Sequence, residues 1–169
     1  MRARRRAQGG AATLEFALVY VSLIVPVTFA LVFTSQMIWI WHSMNEWTRD
    51  GARYAATHCW QDAGANVVGY MRNHVPVNID QDQFATGQAD LSIQFFSRDP
   101  DSGALVDYSC DSSCSPSCVP DVVTVSVSNY EFRRFLSYLG IAPLAMPNFS
   151  TTVAIEGAGC DPATSACEP

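Results

Sequence analysis

The chain has 169 residues and a net charge of −6, which leaves room for one modest domain and an additional segment. All ten basic residues are Arg and four of them lie in the first six positions, so residues 11–169 hold six Arg against sixteen carboxylates. A folded part that acidic excludes nucleic acid as a partner, because phosphate contacts need a basic face.

Residues 1–10 form a basic, polar leader that ends in Gly9-Gly10. From Phe16 to Trp41 the chain then runs twenty-six residues without a charge. As a helix that stretch rises about 39 Å, enough to cross a ~30 Å hydrocarbon layer with some tilt. The apolar part of a secretory signal is only about 7–15 residues, so this is a span and not a discarded signal. Arg2, Arg4, Arg5 and Arg6 before the span predict the N-terminus inside and everything after Trp41 outside. That orientation puts Cys59, Cys110, Cys114, Cys118, Cys160 and Cys167 where disulfides persist. Pro26 lies in mid-span and predicts a kink, since it removes a backbone donor and crowds the preceding turn. Trp39, Trp41, Trp47 and Trp60 suit an interfacial belt first, then packing along the emerging helix.

Residues 5–16 read RRAQGGAATLEF: a glycine closes the leader, the apolar stretch opens at Ala11, and Glu15 stands fifth from it, with Phe16 sixth. This constellation resembles the class III prepilins. The resemblance implies that a membrane-embedded prepilin peptidase cuts between Gly10 and Ala11 on the cytoplasmic side. Such a protease binds its substrate extended, and Gly9-Gly10 resists helix formation by about 1 kcal/mol per residue relative to Ala, so the helix is expected to begin just after the cut. Glu15 is costly within a membrane helix and needs a partner. The resemblance supplies one: the new α-amino group of Ala11 on a neighbouring subunit. Further along, DGARYAA at residues 50–56 is similar to the segment after the span in TadE-like proteins.

That resemblance implies a minor pilin of the tight-adherence (Tad) system, held in the bacterial inner membrane with its N-terminus cytoplasmic and its C-terminal domain periplasmic or extracellular. Major Tad pilins are almost all stalk, so residues 61–169 mark a minor subunit, of TadE or the similarly arranged TadF type. The implied partners are the prepilin peptidase, the major pilin, a TadF-like sister minor pilin, the inner-membrane assembly platform and membrane lipid. The work would be to help assemble or cap a pilus used in adherence or secretion.

Beyond the span, residues 62–73 read as a short helix and 89–97 as a strand. DPDSG at 99–103 is a turn, and 104–109 returns as a second strand. The clearest strand is 121–129, where Val123, Val125 and Val127 alternate with Thr124, Ser126 and Ser128. Phe132, Phe135, Leu136 and Leu139 recur at helical spacing, with Gly140 as the stop, and 148–157 reads as a final strand. The expected fold is α+β: a long N-terminal transmembrane and stalk helix, then a small antiparallel sheet with a short helix and disulfide-bearing loops. The domain division is a leader at 1–10, the helix at 11–60 and an extracytoplasmic domain at 61–169.

Six cysteines allow 15 pairings; Cys160 and Cys167 flank a short loop and make a plausible local pair. Cys110, Cys114 and Cys118 lack the close spacing and the fourth ligand of structural zinc. Residues 111–115 fit a D-x-S-x-S metal-adhesion pattern, but too little chain follows for the doubly wound domain that motif serves. Asp99, Asp101 and Asp107 suggest calcium, yet the spacing departs from an EF-hand and a hairpin turn explains it. His42, His58 and His74 are far apart and have no triad setting. No metal, no cofactor and no catalytic residue is expected, and the chain does not read as an enzyme. The rivals are an uncleaved single-pass envelope anchor with a ligand- or surface-binding ectodomain, and a metal or redox protein using the cysteine loop.

Overall fold

An apolar span must satisfy its backbone internally, and this one is helical throughout. The computed structural model describes residues 4–110, 114–134, 136, 140–161, 164, 166 and 167, with side chains from Gly10 onward except Asp62. Helix α1 (Arg4–Val19) passes into a π-helical turn (Tyr20–Ile24) and then helix α2 (Val25–Thr57). In the π turn the Val25 N–H reaches the Tyr20 carbonyl, one residue further than in an α-helix. Pro26 follows directly, and a widened turn at that place relieves the crowding its ring brings to the preceding carbonyls. Ser22 and Thr28 turn their hydroxyls back onto the Leu18 and Ile24 carbonyls, each at 2.6 Å, so neither presents an unpaired hydroxyl.

Helix α1 already includes Gly9-Gly10 and begins at Arg4, which corrects the expectation of a helix starting just after Gly10. The glycine penalty is about 1 kcal/mol each, small enough to be carried by continuity with a long helix and by the Arg, Ala and Gln before it.

Chain contacts divide the molecule into two compact units, one ending at Trp39 and the other beginning at Ile40. In the second unit α2 buries Ile40, Met44, Trp47, Thr48, Gly51, Ala52 and Ala55, a stripe at three- and four-residue spacing. A 3₁₀ turn (Asp62–Gly64) leads into helix α3 (Ala65–Asn73), which packs so tightly that a side chain on Gly51 would meet the buried Met71. Trp47 is core, only 3% exposed: its Nε1 donates to the Met71 carbonyl at 3.2 Å and its ring meets Phe84 edge-on. Trp60 is likewise buried, against Tyr108.

After the one-turn helix α4 (Asp82–Ala85) come strands β1 (Asp90–Arg98), β2 (Leu105–Asp107) and β3 (Val122–Ser128). Strands β4 (Glu131–Phe132), β5 (Leu144–Ala145) and β6 (Phe149–Ala154) follow, then β7 (Cys160–Asp161) and β8 (Ala166–Cys167). The main sheet runs β2-β1-β3-β6, antiparallel at every pairing. Register puts Ile93, Val125 and Thr151 on one face, with Leu91, Val127 and Phe149 beside them and Phe95, Val123 and Val153 beyond. That face meets α2, where the buried Thr48 hydroxyl lies 3.0 Å from that of Thr151. The opposite face carries Gln94, Thr124, Ser126 and Thr152, a polar surface open to solvent. This is the α+β fold expected, with a long apolar helix, a small antiparallel sheet and a short helix.

Phe132 corrects the helix expected over 132–139. It lies in β4, buried, opposite Leu144, while Phe135 and 137–139 fall outside the described residues. Backbone partners decide this: the Gln83 side-chain amide bonds both the N–H and the C=O of Glu131, each at 2.9 Å, and the Met146 N–H bonds the Tyr130 carbonyl. A two-residue ladder fixed from both sides overrides a helical pattern of side chains. Gly140 sits at φ +66°, a turn conformation suited to glycine.

Candidate functional site

Gly10, Ala11 and Glu15 lie on α1, all exposed. Ala11 and Glu15 are four residues apart and so share a face of the helix. Glu15 is the sole charged side chain between Gly10 and Trp41. Among the described residues no ion pair or hydrogen bond engages its carboxylate. Around it Leu14, Phe16, Leu18, Val19 and Val21 stand open, and an 18-residue window of this helix has mean hydropathy 2.5 with no residue buried. One helix is therefore long and apolar enough to cross a membrane. Chemically the surface can do two things: lie in hydrocarbon, or pack against other helices that bring a cation to Glu15.

The six cysteines pair as Cys59–Cys114, Cys110–Cys118 and Cys160–Cys167, leaving no free thiol. The local pair expected from spacing is present, and the thiolates that a metal or redox reading needs are consumed. Cys59–Cys114 ties the end of α2 to the loop after β2, where the Cys114 N–H also bonds the Trp60 carbonyl at 3.0 Å. Among the described residues no group of three His, Cys, Asp or Glu is placed to hold a metal. Asp111, Ser112 and Ser113 of the D-x-S-x-S pattern lie outside the described residues.

Asp99 serves the β1–β2 turn: its Oδ1 accepts the N–H groups of Asp101 at 2.8 Å and Ser102 at 2.9 Å. These bonds, Ser102's foremost, hold the carboxyl below its usual range. A depressed folded value means that the stabilisation is complete above the unfolded pKa and is lost as pH falls through the folded one. Asp99→Asn keeps the turn and removes this titration. Thermal denaturation across the acid range then shows a flatter decline for the variant; an identical decline contradicts the assignment.

Two of the histidines join a ring stack: His58 stacks on Tyr54, Tyr54 on Tyr70, and Tyr70 on His74, with centroids 3.7, 4.1 and 4.3 Å apart. No sequence spacing joins Tyr54 to Tyr70; the packing of α2 on α3 does. His42 is exposed on α2.

At the same end Gly159, at φ +67°, presses on the Thr57 carbonyl, and a Cβ there would collide with it. Gly159→Ala should cost about 2–4 kcal/mol, from the left-handed backbone and the clash together. Denaturant unfolding of the variant checks this, and a loss within experimental scatter would mean the C-terminal segment is not seated on α2.

Fold and site define a class: an exposed apolar helix able to cross a membrane, bearing one lone carboxylate and followed by a small disulfide-tied α+β unit. Residues 10–53 match the family model described as TadE-like protein, so this segment of the chain is similar to that family. No curated protein and no solved structure matches the chain.

Proposed function

We propose that the chain is a TadE-like minor pilin that is cut after Gly10 by a prepilin peptidase and helps assemble or cap a Tad pilus. The observation that carries this reading is Glu15, a lone carboxylate that no partner engages among the described residues, on a bare apolar helix five positions into the segment that begins at Ala11. The TadE-like match begins at residue 10, which supports a boundary at the same place. In the bilayer the leader stays cytoplasmic and the unit from Ile40 lies outside, where its disulfides are stable. Cleavage uncovers an ammonium at Ala11. Packed beside Glu15 of a neighbouring subunit, that cation neutralises the carboxylate as lipid contacts give way to helix contacts.

Processing requires the chain to open at Gly9-Gly10. The helix there is near its N-terminus, and the two glycines lower the cost of unwinding by about 2 kcal/mol relative to alanines. The partners are then the peptidase, the major pilin, a TadF-like sister subunit and the inner-membrane platform. The unit from Ile40 adds surface for adherence or secretion, and the role is structural. Exchanging Glu15 for valine in a host that builds such pili tests the reading: membrane insertion persists and incorporation into the filament fails.

A second reading has its own observation. Helix α1 runs unbroken through Gly9-Gly10, as an uncut single-pass anchor with a ligand-binding ectodomain would have it. The mature N-terminus separates the two.

A further inference from the structure

The second unit bears an apolar rim at one end. Asn78 Nδ2 donates to Ser43 Oγ at 2.7 Å, which seats the loop after α3 beside helix residues 41–43. In that loop the Ile79 N–H bonds the Pro76 carbonyl at 3.0 Å, making a turn with Val77 at its tip. Turn tips favour Gly, Asn, Asp and Ser, whereas Val77 is 92% exposed between neighbours that hold the loop down. Asn78 and Ile79 are both buried.

The β4–β5 hairpin lies at the same end, because the Asp80 N–H donates to Tyr130 Oη at 3.0 Å and Gln83 clamps Glu131. It adds Leu144, 43% exposed, and Ile141, 53% exposed. Trp41, also about half exposed, stands on α2 just before Ser43. Two of the six Arg beyond the leader, Arg133 and Arg134, are exposed on the same hairpin. Of the nearby acids, Glu131 pairs with Arg133 and Gln88 and Asp80 accepts from Gln83, while Asp82 is exposed. The opposite end of the unit carries Cys59–Cys114 and the Gly159 contact; it exposes Leu105 and Val106 on strand β2, but among the described residues no large apolar side chain there is as exposed as Val77.

We infer that this rim rests in the headgroup–acyl boundary of an anionic lipid bilayer, with Val77, Ile141 and Leu144 inserted and Arg133 and Arg134 on the headgroups. The inference rests on reading α1–α2 as a membrane span. The occupant follows from position: an uncharged stretch that ends at Trp41 puts the polar–apolar boundary of the membrane at that residue, and the rim is level with it. Apolar side chains gain there by leaving water, and basic side chains gain from anionic headgroups. For an otherwise acidic unit, an arginine pair at this end marks which surface faces lipid. Lipid contact then holds the unit against the membrane until the subunit is drawn out.

The test uses full-length protein in phosphatidylcholine–phosphatidylglycerol vesicles, spin-labelled after Val77→Cys, Ser102→Cys or Val32→Cys. Accessibility to oxygen relative to a water-soluble nickel chelate should be several-fold higher at position 77 than at 102, and should fall at 77 when phosphatidylglycerol is omitted. Position 77 as wet as 102, with 32 in lipid, overturns the inference alone. Position 32 in water overturns the span reading and the inference with it. No change on omitting the anionic lipid overturns the role given to the arginines.

Discussion

With valine in place of Glu15, the chain inserts into the membrane at least as well as wild type and drops out of assembled pili. A carboxylate in a membrane helix costs about 3 kcal/mol on insertion scales and valine slightly favours the bilayer, so insertion does not suffer. The loss comes at the next step. A neighbour's ammonium, uncovered at Ala11, is left without its counter-charge in a packed apolar interface, and breaking a buried pair from one side costs about 3–5 kcal/mol. That is roughly a hundredfold to a few thousandfold in the equilibrium for seating the subunit. Glu15→Asp should recover part of the incorporation and Glu15→Gln little, because the amide keeps the shape and lacks the charge. Membrane fractionation measures the first step and immunoblotting of sheared pili the second. Normal levels of the valine variant in the filament would remove the pairing from the mechanism.

The second large effect concerns Cys59 and Cys114. Replacing both by Ser should destabilise the second unit by about 4 kcal/mol, since that bridge closes a loop with a sequence separation of 55. The Cys110–Cys118 bridge, with a separation of 8, should be worth only about 2.5 kcal/mol on the same chain-entropy reasoning. Position adds to the difference: Cys59 is buried at the end of α2, so serine there also places a hydroxyl in the core. Four kcal/mol is a large share of the 5–15 kcal/mol that stabilises a typical domain. Unfolding of the two double variants under oxidising conditions ranks the bridges. Equal losses, or a larger one for the shorter loop, would show that α2 is held by its packing on the sheet and α3 and not by the disulfide.

Much of the sheet was legible because its signal is local. In β3 Val123, Val125 and Val127 alternate with Thr124, Ser126 and Ser128, and these three valines are on the buried face. The span was legible from its uncharged length alone. Disulfide pairing was legible only at Cys160 and Cys167, which lie close in sequence; Cys59 meets Cys114 through the packing of chain 55 residues away, and no spacing encodes that. Helix α4 has four residues, too few to show a period. Phe132 misled because side-chain spacing cannot report that Gln83 bonds the backbone of Glu131. At the N-terminus the residues Gly10, Ala11 and Glu15 could be picked out by type and order, whereas helix α1 running through the glycines reflects continuity with a long neighbour that local propensity does not weigh.

The most direct measurement is the N-terminal residue of the protein isolated from its own host, by intact mass with sequencing of the first residues. Ala11 at the start, with residues 1–10 gone, is the result this account predicts. A mature chain that still carries Arg2 through Arg6, in cells that process their other prepilins, contradicts it.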